Sequence, residues 1–137
     1  GPLFASTAST GPSGAQQVLF FERNGLRHGE FNIRRAAQAQ ALEWNSASDI
    51  LALQLFDPAA QRSYVQMWTT SNFHWYLKQE FEFVTRVASM QWDGENGGRM
   101  RVLTEGLYFF SYLILLYSEV FLDGQLSVYD VCFDYIV

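Results

Sequence analysis

The sequence predicts an all-β protein built from short antiparallel strands. Short runs of β-branched and aromatic residues recur along the chain, and clusters of Asn, Asp, Gly and Ser separate them. Hydrophobic residues make up 49% of the 137 residues and aromatic residues 17%, which is enough to form a packed core. No segment is both long enough and regular enough in its apolar spacing to predict a stable helix.

The N-terminal segment is rich in small and polar residues. Residues 1–15 are predicted to form a flexible lead-in, with a loop between strands as the alternative. After it, the apolar run 18–21 and the dipeptide Asn24-Gly25 predict a hairpin with a type I′ turn, because both central residues of that turn need a positive φ. The return strand is predicted over residues 26–33, which places Glu22 opposite Arg27 as an ion pair.

The remaining elements continue the same alternation. Residues 34–41 are predicted to be a surface loop, because a helix there would be too short to be stable. A second hairpin is predicted from residues 41–44 and 50–55, joined by the polar turn 45–49. With turns at 69–72 and 93–98, the further strand candidates are residues 65–68, 73–78, 87–92, 100–104, 106–112 and 125–129. These segments amount to roughly nine strands.

Two segments of the chain resemble each other. A strand ending in Trp44, a polar turn and an apolar strand recur as a strand ending in Trp92, a Gly-containing turn and another apolar strand. Trp44 and Trp92 are 48 residues apart. A four-stranded WD40-type blade repeats every roughly 40–45 residues, so the recurrence predicts a partial WD40-like β-propeller with two to three four-stranded antiparallel blades. Stacked blades also explain why residues 51–55 are apolar in near-continuous sequence. A β-sandwich is the alternative, since it also needs many short strands.

Charge and cysteine content exclude several classes of protein. The net charge is −5, and Arg34-Arg35 is the only adjacent basic pair, which disfavours an autonomous nucleic-acid-binding domain. Cys132 is the only cysteine, so neither an intrachain disulfide nor a multi-thiolate zinc site can form, and a reducing compartment is favoured. The longest uncharged apolar run, residues 106–118, is shorter than the roughly 20 residues of a spanning helix, so no membrane insertion is expected.

No group of residues predicts catalysis. His28 and His74 are the only histidines, and an alternating strand explains His74 without a chemical role. Glu80 and Glu82 share one strand face and are expected to be solvated. Cys132 has no nucleophile motif around it. We therefore expect no enzymatic activity, no cofactor and no metal.

The best candidate binding surface is basic and surrounds the first hairpin. Its cations are Arg23, Arg27, Arg34 and Arg35, and its interleaved aromatic residues are Phe20, Phe21 and Phe31. This mixture could neutralise phosphates and stack on bases, so an RNA-binding β module is the alternative function. Glu22 and Glu30 lie among the same residues, which favours an ordinary solvated face.

Two unusual strings resemble a known family. Residues 18–31 (VLFFERNGLRHGEF) and 65–79 (VQMWTTSNFHWYLKQ) are similar, in order and spacing, to stretches of the largest Elongator subunit, the Elongator complex protein 1 (IKI3) family. The resemblance covers about residues 17–112. Residues 16–112 are therefore interpreted as propeller blades, and residues 113–137 as a divergent apolar and acidic tail.

The resemblance implies a non-catalytic scaffold. The family's subunit carries two N-terminal propellers, a helical solenoid and a dimerising C-terminus, and it assembles Elongator, which modifies the wobble uridine of certain tRNAs. The chemistry belongs to a different subunit. This chain would belong to the first propeller and would contact other Elongator subunits or the remaining blades, with tRNA contacted only indirectly. The implied location is cytoplasmic, with a nuclear one as the alternative.

Overall fold

The computed structural model describes residues 3–10, 15–33, 37–109 and 112–136, and every regular element among them is a β-strand. The strands are β1 (Phe4–Thr10), β2 (Ala15–Phe21), β3 (Arg27–Asn32), β4 (Gln38–Trp44), β5 (Leu51–Asp57), β6 (Arg62–Ser71), β7 (His74–Phe83), β8 (Val87–Trp92), β9 (Arg99–Phe109), β10 (Tyr112–Phe121) and β11 (Leu126–Ile136). The predicted all-β class is confirmed. Within these four ranges, no helix has both the length and the apolar character needed to cross a membrane.

The strands form three antiparallel sheets in chain order. Sheet A is β1-β2-β3, sheet B is β4-β5-β6-β7 and sheet C is β8-β9-β10-β11. The first strand of sheet B, β4, contacts the first strands of both neighbouring sheets, β1 and β8. In a propeller the inner strands of successive blades meet in this way around a central axis. The arrangement confirms the predicted partial propeller.

Sheet B is buried on both faces. Leu51, Leu53 and Leu55 on β5 are fully buried against sheet A, whereas Ala52 between them is buried against sheet C. Successive residues of a strand point to opposite faces, so a strand covered on both sides is apolar without alternation. This explains the continuous apolar sequence of β5.

Hydrogen bonds as well as apolar contacts join sheets B and C. The indole Nε1 of Trp92 donates to the carbonyl oxygen of Glu43 at 2.9 Å. The amide Nε2 of Gln54 donates to the carbonyl oxygen of Val87 at 3.2 Å, and the backbone N–H of Val87 donates to Ser63 Oγ at 3.1 Å. Buried polar groups need such partners, so these bonds fix the position of one sheet on the other.

The N-terminal segment differs from the sequence prediction. The flexible lead-in predicted over residues 1–15 is wrong for residues 4–10, which form β1 and pair with β2 from Phe4 opposite Phe21 to Thr10 opposite Ala15. Leu3 packs against the core between sheets A and B. Ser, Thr and Ala suggest a loop by composition, but here the strand is stabilised by hydrogen bonds to a neighbour whose own sequence is strongly β.

The first hairpin forms, but its turn is not type I′. Gly25 has a φ of +87°, whereas Asn24 does not have a positive φ. The backbone N–H of Gly25 donates to the carbonyl oxygen of Glu22 at 2.9 Å. This is the three-residue connection, a type I turn followed by a glycine bulge. The extra residue shifts the register, so Phe21 rather than Glu22 lies opposite Arg27.

The turn predicted at residues 69–72 is displaced towards the C-terminus. β6 continues to Ser71 and pairs there with His74, which leaves the two-residue turn Asn72-Phe73. Both turn residues have positive φ, 51° and 68°. The sequence prediction placed Phe73 in a strand because residues 73–78 alternate between apolar and polar side chains after the polar cluster 69–72. A phenylalanine is rarely found at positive φ, so the local sequence does not indicate this turn.

Two further boundaries change. The surface loop predicted over residues 34–41 ends early, because β4 begins at Gln38 and pairs with β5 through a bulge between Ala39 and Ala41. Residues 34–36 lie outside the described residues.

Near the C-terminus, β10 pairs with β9 and with β11. The boundary predicted after residue 112 therefore coincides with no break in sheet C, and the strand predicted over 106–112 is divided between β9 and β10.

Candidate functional site

The structure describes two of the four predicted surface arginines. Arg23 lies exposed in the β2–β3 turn and Arg27 lies exposed at the start of β3. Arg34 and Arg35 lie outside the described residues. The guanidinium of Arg27 donates a hydrogen bond to the Glu30 carboxylate on the same strand. This ion pair reduces the positive charge that the hairpin presents to solvent.

Two of the three aromatic residues predicted for the RNA surface are buried, contrary to the prediction, whereas the third, Phe21, is half-buried. Phe20 is fully buried and Phe31 nearly so. Phe20 stacks on Trp75 with ring centroids 4.0 Å apart, and Phe31 stacks on Trp68 at 3.9 Å. These rings join sheet A to sheet B and cannot stack on bases. The interleaving of basic and aromatic residues in the sequence did not show that a second sheet covers these two phenylalanines.

Five aromatic rings form the contact between sheets A and B, which we call the aromatic interface: Phe20, Phe31, Trp44, Trp68 and Trp75. Trp68 and Trp75 lie on the two strands of the β6–β7 hairpin, so this hairpin carries much of the interface. Stacked and edge-on aromatic pairs each contribute about 0.5–1.5 kcal/mol beyond the burial of their area.

A cleft of about 770 Å³ opens beside the aromatic interface. It lies between β3 and the turns of sheet B, and its lining residues are Leu3, His28, Gly29, Glu30, Trp44, Ser48, Asp49, Thr69, Thr70, Asn72, Phe73, His74 and Trp75. The structure thus brings both histidines of the chain to one cleft, a juxtaposition that their separation in sequence did not reveal. Both histidines are exposed.

Some polar groups of the cleft form hydrogen bonds that position the loops. Asp49 Oδ1 accepts from Asn45 Nδ2 at 2.7 Å, and the hydroxyl of Thr69 donates to the carbonyl oxygen of Asp49 at 2.9 Å. His28 Nδ1 lies 3.4 Å from Glu22 Oε1. In the part of the chain that the structure describes, no three His, Cys, Asp or Glu side chains are placed to hold a metal ion.

The remaining sequence candidates do not converge. Gln66 Nε2 donates to Glu80 Oε2 at 2.6 Å, so Glu80 is half-buried and paired, contrary to the predicted solvation. Glu82 is exposed, as predicted, and its Oε1 lies 3.9 Å from Arg62 Nε. The backbone of Cys132 belongs to β11, in sheet C.

The sequence analysis missed an acidic group at the β8–β9 turn. Asp93 has a side chain only 7% exposed, and its Oδ1 accepts from the backbone N–H groups of Glu95 at 2.8 Å and Asn96 at 3.1 Å. Its Oδ2 accepts from Arg99 Nε at 2.9 Å. The bonds from Glu95 and Asn96, and then that from Arg99, lower the pKa of Asp93 to about 2. An Asp at the start of a Gly-containing turn is the signal that could have revealed this cap.

We expect Asp93 to remain ionised in the folded protein down to about pH 2. Its ordinary pKa of 3.8 applies in the unfolded chain, so the unfolded state binds more protons between these two values. The free energy of unfolding should therefore decrease as the pH falls through this window. NMR titration of the carboxyl carbon measures the midpoint, and a midpoint near 3.8 would contradict the assignment. Asp93→Asn should remove the corresponding part of the pH dependence.

Comparison with known proteins agrees with this architecture. The family model described as the ELP1 first N-terminal beta-propeller matches residues 1–95, more than half of the chain. The chain belongs to this family. The predicted resemblance is confirmed, and the three stacked sheets are part of such a propeller.

Similar full-length proteins carry the same family name. The chain is 39% identical over 123 residues to the putative elongator complex protein 1 of Xenopus laevis, which covers 82% of the chain and 10% of that protein. It is 40% identical over 118 residues to elongator complex protein 1 of Rattus norvegicus, covering 77% and 9%. For the Saccharomyces cerevisiae protein the identity is 41% over 100 residues, covering 69% and 7%. The chain therefore spans a tenth or less of the length of these relatives.

Proposed function

We propose that this chain is a non-catalytic scaffold segment of an Elongator complex subunit, and that it supports tRNA wobble-uridine modification by holding other proteins in place. Family membership supports the assignment to the complex. The observation that carries the scaffold role is the enclosure of sheet B, which is packed against sheet A through the aromatic interface and against sheet C through hydrogen bonds. Packing on both faces makes sheet B a rigid element, as a scaffold that holds other subunits requires.

The groups in the cleft support a role without chemistry. A general base or nucleophile needs a partner that activates it and a site where the reacting atom can sit. In the described part of the cleft the carboxylates are instead engaged with Arg27 and Asn45. The predicted absence of catalytic residues is therefore retained as part of this proposal.

The proposed partners are the remaining blades of the same propeller and other Elongator subunits. Among the described residues, sheets A and C each pack one face against sheet B. On β9, Met100 and Val102 are fully buried against sheet B, whereas Arg101 and Leu103 on the other face are half-buried. A further blade fits this other face. Contact with tRNA is proposed to be indirect, and the location to be cytoplasmic, with a nuclear one as the alternative.

The scaffold role is tested in the full-length protein. Phe20→Ala disrupts the aromatic interface, and we expect it to reduce both co-purification of the other Elongator subunits and the modified wobble uridine in tRNA several-fold. Quantitative pull-down measures the first quantity and mass spectrometry of tRNA nucleosides the second. Because a scaffold acts through assembly, the two quantities should fall together.

The matched control removes carboxylate chemistry without removing packing. The double variant Glu80→Gln and Glu82→Gln keeps the shape of both side chains, so assembly and modification should stay at the wild-type level. Loss of modification with intact assembly in this variant would indicate a catalytic role instead. A Phe20→Ala protein that unfolds locally but assembles normally would also contradict the proposal.

A further inference from the structure

The β6–β7 turn holds a bulky residue where glycine is expected. The two-residue turn Asn72-Phe73 has positive φ at both positions, which is the pattern of a type I′ turn. Asn is favoured at the first position and Gly at the second, because a Cβ atom is strained there. A phenylalanine with a φ of 68° is therefore an unfavourable choice for folding alone.

Phe73 receives no compensation from packing. Its side chain is 96% exposed, whereas Trp68 and Trp75 of the same hairpin belong to the aromatic interface. The hydroxyl of Thr69 also fixes this hairpin to the 45–49 turn through the Asp49 carbonyl. A firmly packed hairpin thus presents the ring of Phe73 almost entirely to solvent, whereas Tyr76 and Leu77 on the same hairpin are exposed by 41% and 40%. Backbone strain that the fold does not need is typical of residues that serve binding.

The surroundings of Phe73 define the chemistry of the partner. Among the described residues, the lining of the cleft that Phe73 borders includes no Lys or Arg. It does include the carboxylates of Glu30, which is paired with Arg27, and Asp49, which accepts from Asn45. Nucleic acid is disfavoured here, because binding to phosphates depends on Lys and Arg. A protein with an apolar socket for the ring and basic or N–H donor groups at its rim fits both the phenyl group and the acceptors beside it.

We propose that Phe73 is an anchor residue that inserts into an apolar socket with a basic rim on another protein subunit of the complex. This inference rests on the proposed scaffold function and names the contact through which it acts. Anchors of this kind are single aromatic side chains that enter a well-packed pocket and carry a large part of the binding energy.

The test measures binding of the purified remaining Elongator subunits to full-length protein by biolayer interferometry. Phe73→Gly should weaken binding at least about tenfold, as expected for a hot-spot residue. The same change should leave the melting temperature unchanged or raise it, because glycine relieves the positive φ. Binding and stability thus move in different directions, which a structural role of Phe73 would not produce.

Two controls accompany this variant. Val84→Ser removes another exposed apolar side chain, 71% exposed, just beyond the far end of β7, and should also leave binding unchanged. Phe73→Trp keeps an aromatic anchor and should retain most of the binding.

The possible results distinguish failure of the anchor role of Phe73 from failure of the proposed scaffold function. Wild-type protein that does not bind the other subunits would overturn both. Wild-type binding that Phe73→Gly leaves intact would overturn the anchor alone, as would a loss of binding that accompanies a lower melting temperature. A Phe73→Gly protein that loses tRNA binding, or loses self-association in light scattering, while it retains the subunits would assign the ring to a different occupant.

Discussion

Phe20→Ala is expected to lower the free energy of unfolding by about 3–5 kcal/mol, the range observed when a buried aromatic ring is truncated. Phe20 is fully buried, it stacks on Trp75, and its ring also approaches Phe31 and Trp44 within 6.0 Å. Domains are typically stable by about 5–15 kcal/mol, so the loss would be a large fraction of the total. Denaturant unfolding measures it as a lower midpoint.

Hydrogen exchange can show which strands Phe20→Ala destabilises, separately from how much it lowers the free energy of unfolding. Phe20 joins sheet A to sheet B, so hydrogen exchange in the variant should accelerate most in β1, β2 and β3, while β9 remains protected. Leu26→Ala is the matched control, because Leu26 lies in the next turn, is 62% exposed and should change stability by no more than about 0.5 kcal/mol. A cost below about 1 kcal/mol for Phe20→Ala would contradict the described interface.

The sheets could be predicted from the sequence because the hydrophobic pattern and the turn residues that indicate them lie within each pair of neighbouring strands. The apolar run of β5 indicated burial on both faces, and the recurrence of Trp44 and Trp92 before polar turns indicated stacked units. Both tryptophans do lie at contacts between sheets. Local hydrophobic pattern and turn residues were sufficient for this level of the fold.

The turns were predicted less well, because register depends on both strands and on what covers them. Asn24-Gly25 has the preferred type I′ sequence but forms a bulged turn, whereas Asn72-Phe73 lacks glycine and has positive φ at both positions. In the β6–β7 hairpin, Trp68 and Trp75 must both reach the aromatic interface, which fixes the strand ends at Ser71 and His74. Tertiary packing thus overrides the local turn preference.

The candidate site could not be found from the sequence for a related reason. Residues 28–30, 48–49 and 69–75 are separated along the chain, and only the packing of sheet A on sheet B brings them to one cleft. The sequence selected Arg23, Arg27, Phe20 and Phe31 as a surface because basic and aromatic residues are interleaved along the first hairpin. That composition does not tell whether the aromatic side chains meet water or another sheet.

The second large effect is expected at Asn45, which is 5% exposed and links the first turn of sheet B to the first turn of sheet C. Its Oδ1 accepts from the backbone N–H groups of Asp49 and Ile50, both at 3.1 Å. Its Nδ2 donates to Asp49 Oδ1 at 2.7 Å and to the carbonyl oxygen of Gly97 at 3.1 Å. Asn45→Ala should lower the free energy of unfolding by about 1–3 kcal/mol, since it leaves the buried N–H of Ile50 and the partly buried groups of Asp49 and Gly97 without these hydrogen bonds.

Asn45→Asp distinguishes this hydrogen-bond role from simple filling of space. The variant keeps the Oδ1 acceptor and the volume of the side chain, but it places a carboxylate oxygen where the amide now donates to Asp49. Two carboxylates in contact repel each other, so the variant should be as destabilised as Asn45→Ala near pH 7. It should recover stability as the pH falls towards the range where one carboxyl binds a proton.

Denaturant unfolding at several pH values measures the difference between the two variants, and Ser46→Ala in the same exposed turn provides the baseline. If Asn45→Asp were as stable as the wild type at neutral pH, the donor bonds to Asp49 and Gly97 would contribute nothing. In that case the contact between sheets B and C would depend on apolar packing and on the other hydrogen bonds between them, such as those of Trp92, Gln54 and Val87.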